Sequence, residues 1–202
     1  KITVKKVSLS PFGNQIVLSE RGENIFDQIV LRDDQGNYLP IIPAAIQSSS
    51  IFKIDNSFEF ITKSHPTKSI TLIPIMSDGH SELKFFNLKN KLPAELPVNN
   101  FGSYILEDLQ IDSKKMVAVL YQNGPVPIIT PDLIPSDSSG KLLRYAKYSD
   151  QEYDRKTGLI TLTYYWTENI TDEDLEKIAG LSYFANYDFQ LNEEEAITIE
   201  LN

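Results

Sequence analysis

Short runs in which apolar and polar residues alternate follow one another along the chain. Turn-forming residues close each run, at intervals of about 8–12 residues. A period of two puts every second side chain on one face, so a chain written this way buries strand faces and folds as all-β. Val4 to Leu9 alternates, with Lys6 and Ser8 between apolar positions, and Ser10-Pro11-Phe12-Gly13-Asn14 reads as a turn. Gln15 to Ser19 is a second strand and Ile25 to Arg32 a third. The third is stopped by Asp33-Asp34-Gln35-Gly36-Asn37, where a glycine supplies the positive φ that a hairpin turn needs. Phe58-Glu59-Phe60, Ile70 to Ile73 and Ser81 to Leu88 read as later strands.

A length of 202 residues leaves room for two small domains. Residues 87–100 hold Pro93, Pro97, Asn99 and Asn100 with little periodicity, so the boundary is expected there: one domain over 1–98 and another over 99–202. The second half restarts the first. Glu107 to Asp112 aligns with Lys5 to Ser10, and Met116 to Leu120 with Asn14 to Leu18, both at an offset of 102. The turn Asp137-Ser138-Ser139-Gly140-Lys141-Leu142 echoes Asp33 to Tyr38, and Ala196 to Ile199 echoes Ser69 to Leu72. The growing offset implies an insertion in the second copy.

That insertion contains one short helix, expected near 171–180. Thr171 suits an N-cap, Asp172, Glu173 and Asp174 place negative charge at the positive end of the helix dipole, and Ile170 with Leu175 sit at staple positions. Leu175, Ile178 and Ala179 form its apolar face, and Gly180 fits a left-handed stop. The architecture expected is two β-sandwich domains in tandem, the second carrying the helix.

Composition narrows the function. There is no cysteine, which excludes disulfides, thiolate metal sites and cysteine nucleophiles. The formal charge is -9, the wrong sign for nucleic acid. Residues 1–98 hold 11 basic and 10 acidic side chains, whereas residues 99–202 hold 8 and 18, so the acidity concentrates in the second half. The longest apolar runs, such as Leu39 to Ile46, are broken by proline, and none reaches the roughly 18 residues of a membrane helix. The chain opens on Lys1 and directly on a strand pattern, so a longer parent protein is expected.

No catalytic constellation stands out. His65, in Ser64-His65-Pro66, and His80, in Asp78-Gly79-His80-Ser81, both sit in turn-like sequence, and triad members meet through folding rather than as neighbours. Neither a nucleophile elbow nor a glycine-rich phosphate loop occurs. We therefore expect no enzyme and no cofactor. Asp150-x-Glu152-x-Asp154 is the acidic cluster that a cation would prefer, yet it lacks the glycine and the closing glutamate of a calcium loop. A solvated hairpin edge, neutralised by Lys147, Arg155 or Lys156, accounts for it as well. Asp150 and Asp154 are also candidates for the carboxylate pair of a hydrolase.

Seven of the ten tyrosines and the single tryptophan lie between residues 145 and 187. Ile160, Leu162, Tyr164 and Trp166 share one face of a strand and read as core, with Thr161, Thr163 and Tyr165 on the other. Tyr145, Tyr148 and Tyr153 are candidates for an exposed strip that stacks on sugar rings, with core packing the competing reading. Asn169-Ile170-Thr171 fits a glycosylation sequon, but a helix cap explains Thr171 better.

Val4-Lys5-Lys6-Val7-Ser8-Leu9-Ser10-Pro11, then Val30 to Asn37, then Ser69-Ile70-Thr71-Leu72-Ile73-Pro74, form a pattern across the first half. It resembles the extracytoplasmic, C-terminal immunoglobulin-like region of a firmicute family of unknown function whose members are often labelled anti-sigma factors. Thr171 to Leu181 is similar to the far end of such proteins. The resemblance implies two tandem immunoglobulin-like β-sandwich domains outside a Gram-positive cell. It also implies an anchor to the membrane through a segment that is not among these residues. The function it implies is a non-catalytic sensing or binding module of a membrane-anchored regulator, with an unknown protein or cell-envelope ligand as partner. It carries no catalytic residues over. The alternative, from the tyrosines, is a carbohydrate- or cell-wall-binding module.

Overall fold

The computed structural model describes residues 2–10, 13–20, 29–50, 53–62, 67–76, 80–126, 131–143, 145–154, 156–167, 170–186 and 190–201; for 2, 20, 43–50, 53–54, 147 and 148 it gives the backbone alone. Expectations for Ser64, His65, Pro66, Asp78, Gly79, Arg155 and Asn169 lie outside the described residues, as does the start of the third strand at 25–28.

The chain is all-β and antiparallel. In order come β1 (Ile2–Ser8), β2 (Asn14–Glu20), β3 (Ile29–Asp33), β4 (Tyr38–Leu39), β5 (Ile41–Ser50), β6 (Lys53–Phe60) and β7 (Ser69–Met76). They are followed by β8 (Glu82–Asn87), β9 (Ala94–Pro97), β10 (Ser103–Ile111), β11 (Lys115–Asn123), β12 (Ile134–Ser136), β13 (Ala146–Tyr153) and β14 (Leu159–Trp166). The helix α1 (Asp172–Lys177), β15 (Gly180–Ala185), β16 (Gln190–Leu191), a 3-10 turn (Glu193–Glu195) and β17 (Ile197–Glu200) complete it. No helix among the described residues is long and apolar enough to cross a membrane.

Two compact units emerge. The first comprises residues 1–77, 124–129 and 189–202, and the second 78–123 and 130–188. Both are discontinuous, so the division runs differently from the break expected in 87–100. β8 and β9, read as the end of the first domain, pair with β15 and β10. The charge divides differently too. The four glutamates at 193–195 and 200 belong to the first unit, which makes the units net -3 and -6.

In the first unit, one sheet has the order β1-β2-β6-β5, and the other runs β4-β3-β7 with β16 and β17 along β7. Their facing sides meet in a sandwich-like core. Ile16 and Leu18 of β2 and Phe58 and Phe60 of β6 pack with Leu31 of β3 and Leu72 of β7, while Val4, Val7, Ile199 and Leu201 close its margins. The outer side of the second sheet is buried as well: Val30, Ile73 and Ile75 are covered by Tyr38, Leu191 and Ala196.

In the second unit the sheets are β13-β14-β11-β10-β9 and β12-β15-β8. Burial alternates along β14, with Ile160, Leu162, Tyr164 and Trp166 inside, as the pattern predicts. The backbone N–H of Leu133 donates to the Tyr164 hydroxyl at 3.0 Å in the buried interior. Tyr164→Phe leaves that N–H without its acceptor, and urea unfolding is expected to show a loss of about 1–3 kcal/mol.

The repeat is real in its first three segments. Register slips by one residue between Val4 and Lys6 in the β1–β2 pair, and between Leu106 and Asp108 in the β10–β11 pair. The two bulges stand at the offset of 102. The turns share the backbone donors that the aspartate accepts from. The Asp33 carboxylate accepts from the N–H of Gln35 and Asn37, and Asp137 accepts from Ser139 and Lys141. Gly36 and Gly140 take φ of 86° and 81°. The bridge Ser136–Leu142 stands where β3 meets β4.

The fourth segment is corrected. Ile197 to Glu200 is not the counterpart of β7 but its antiparallel neighbour, with Ile197 opposite Leu72 and Ile199 opposite Ile70. The counterpart of β7 is β15, because β7 pairs with β3 as β15 pairs with β12. The consequence is an exchange. β8 follows β7 in sequence but lies beside β15, and β17 follows β15 but lies beside β7. Each repeat completes the other's second sheet with its last strand.

The helix forms where expected but ends earlier. Thr171 caps it, accepting from the Asp174 N–H, and the Asp174 side chain returns a bond to the Thr171 backbone. Ile178 is already extended, and no residue of α1 itself is buried. Buried Ile170 and Ile178 at its two ends hold it to the unit. Gly180 is not a left-handed stop, since it starts β15 and is not among the glycines with positive φ.

Candidate functional site

The β13–β14 hairpin carries most of the residues singled out for binding. β13 is an edge strand, paired only with β14. Asp150 and Glu152 stand opposite Thr163 and Thr161, on the face away from the core, and both are exposed. Asp154 lies just past the strand and serves the turn. Its carboxylate accepts from the Lys156 N–H at 2.8 Å and the Thr157 hydroxyl at 2.7 Å, and Gly158 closes the turn at a φ of 77°. The three carboxylates therefore do different jobs. Among the described residues no group of three His, Asp or Glu is placed to hold a metal ion.

The three tyrosines of the expected strip divide between β13 and the segment before it. Register slips between Ala146 and Tyr148; along the backbone ladder Tyr148 pairs with Tyr165, and Tyr153 pairs with buried Ile160. Tyr145 precedes β13 and belongs elsewhere. Its ring meets Trp166 edge-on, with centroids 6.4 Å apart, and its hydroxyl lies 3.5 Å from Asp174 Oδ1 at the third position of α1. Burial, with the nearby Asp174 charge, raises its pKa. Trp166 donates its indole N–H to the Asp112 carbonyl at 2.8 Å. Tyr145 and Trp166 thus join the helix to the sheet.

His80 is exposed, and nearby Glu82 has its pKa lowered chiefly by the hydrogen bond from Lys84. The surface that sequence reading missed lies on the outer side of β8 and β15. Leu83, Phe85 and Phe184 are 44%, 39% and 52% exposed there, with Leu83 directly opposite Phe184. The signal was Leu83-Lys84-Phe85-Phe86, which places large apolar residues on both faces of one strand.

Several aspartates share one task. Asp112 accepts from the backbone N–H of Lys114 and Lys115, Asp137 from those of Ser139 and Lys141, Asp154 from that of Lys156, and Asp174 from the N–H and hydroxyl of Thr171 and the Lys177 ammonium. Hydrogen bonds to the ionised form lower the pKa of each carboxyl. A depressed folded-state pKa contributes stability above the ordinary value, about 3.9 for Asp. That contribution is lost as pH falls through the folded value. Thermal midpoints are therefore expected to hold from pH 7 to 5 and to fall below about pH 4. Replacing these four aspartates by asparagine should flatten that fall. Comparison of the chain with protein-family models, with curated proteins and with solved structures returns no match.

Proposed function

We propose that these residues form a non-catalytic extracytoplasmic sensing or binding module of a membrane-anchored regulator, reached by the membrane only through a segment outside them. The observation that carries the non-catalytic reading is the use of the carboxylates. Asp154, one of the two carboxylates that a hydrolase reading would need, is committed to the Lys156 N–H and the Thr157 hydroxyl of its own turn. The finer fold reading is two immunoglobulin-like domains. The orders β1-β2-β6-β5 and β3-β7-β17 follow strands A-B-E-D and C-F-G of that fold, and β10-β11-β14-β13 with β12-β15-β8 do so again. The partner is a protein or an envelope ligand. The alternative reading is a carbohydrate- or cell-wall-binding module, motivated by the tyrosines between residues 145 and 187.

Protease added to intact cells that express the whole parent protein tests the location. Cleavage within residues 1–202 without lysis is expected, and cleavage only after lysis contradicts the reading. Retention of the purified chain on isolated cell wall would favour the carbohydrate alternative instead.

A further inference from the structure

We propose that two copies of this chain associate through β8, the strand of each pairing antiparallel with that of the other about a two-fold axis at Leu83. An open sheet edge invites another strand, and folded chains blunt such edges with bulges, proline, charge or shortness. The described edges of this chain are treated that way with one exception. β1, β5 and β13 each carry a register shift, and β5 also holds Pro43. β12 has three residues and contains Pro135, and β9 has four and ends in Pro97. β4 and β16 have two residues each, and β17 has four. Among the described residues β8 pairs with β15 alone, runs six residues in unbroken register and contains no proline.

The side chains of β8 select the strand that fits. Leu83 and Phe85 share the outer face with Phe184 of β15, and all three are exposed. Opposed residues of an antiparallel pair share a face, so a strand meets its own copy only in registers that oppose residues of the same face. With the axis at Leu83, that residue faces its own copy, Ser81 faces Phe85, and Glu82 faces Lys84 of the second copy. Lys84 already donates to Glu82 at 2.6 Å within one chain, so the four groups form one block of alternating sign. Moved one residue either way, the axis sets Glu82 against Glu82 or Lys84 against Lys84, and like charges directly opposite destabilise a ladder. Moved to Phe85, it sets Lys84 against Phe86. This self-complementary charge is the argument for a second copy, and the resulting interface is isologous and closes at two chains.

The absence of cysteine makes the test direct. In this register position 83 opposes itself at a Cα separation of about 4.5–5.5 Å, within the span a disulfide accepts. Oxidation is expected to give a covalent dimer with Leu83→Cys and none with Phe184→Cys, which is at least as exposed but lies one strand further from the axis. Lys84→Glu sets acidic side chains against each other and is expected to weaken the dimer about tenfold, read by sedimentation. Adding Glu82→Lys restores the opposition of charge and with it the affinity. Trp166 fluorescence checks that each variant keeps its fold. A chain that stays monomeric at every concentration overturns the proposal and leaves the edge to another protein. So does a dimer that Phe184→Cys links as readily as Leu83→Cys, or one that the exchange of the two charges fails to restore.

Discussion

A chain ending at residue 188 is expected to lose the fold of the first unit and keep that of the second. The deletion removes no residue of the second unit, yet it takes β16, the 3-10 turn and β17 from the first. Ile199 and Leu201 leave the main core, and Leu191 and Ala196 uncover Val30, Ile73 and Ile75. Full burial of a large aliphatic side chain is worth about 1.5–3 kcal/mol. Three of them, partly buried, amount to several kcal/mol against a domain stability of about 5–15 kcal/mol. The bared edge of β7 adds a site for aggregation. Amide exchange should show β2, β3, β6 and β7 losing protection, while Trp166, buried in the second unit, keeps its native fluorescence. Loss of protection in β14 and β15 instead would mean that residues 189–202 belong to the second unit.

Gly180→Ala is expected to be the most damaging single methyl group in the second unit. A Cβ at that position falls 2.3 Å from two ring carbons of Phe85 and 2.4 Å from the Phe86 carbonyl oxygen. Phe85 can turn outward, since it is already partly exposed, but the carbonyl belongs to the paired strand β8 and moves only with the sheet. Overpacking of this kind costs about 1–3 kcal/mol, and the backbone clash puts the expected loss at the upper end. Denaturant unfolding followed at Trp166 measures it. A variant as stable as the parent would show that β8 does not approach β15 so closely. Gly140→Ala is the contrast: nothing lies within 4 Å of its Cβ, and the cost comes from its φ of 81° alone.

Much of the fold was legible because it is written locally. The turns at Asp33 and Asp137 depend on residues within one hairpin, and the repeat exposed them twice. The core face of β14 followed from alternation alone. The strand exchange was not legible. Alternation in Glu82–Asn87 and Ile197–Glu200 says which face is buried, not which neighbour supplies the ladder, and β7 and β15 offer similar edges. For the same reason an antiparallel partner of Ile70 to Leu72 looked like a second copy of it. Gly180 was misread because a glycine after a helix suggests a cap, whereas its reason is a ring packed across the sheet. Tyr145 packs on Trp166 ahead of a register shift at the start of β13, an arrangement that leaves no mark in composition. The exposed apolar side of β8 escaped for a related cause: it becomes visible only when β15 is known to be the neighbour.

Disulfide trapping in one chain carrying Thr71→Cys, Asn87→Cys and Thr198→Cys tests the exchange most directly. In the exchanged fold Thr71 faces Thr198, and Asn87 faces Gly180 in the other unit. Were each repeat to keep its own last strand, position 71 would face position 87. Opposed positions of an antiparallel pair lie about 4.5–5.5 Å apart, within the span a disulfide accepts. Oxidation at low concentration followed by peptide mapping is expected to join 71 to 198 and leave 87 free. A bond between 71 and 87 would contradict the exchanged architecture.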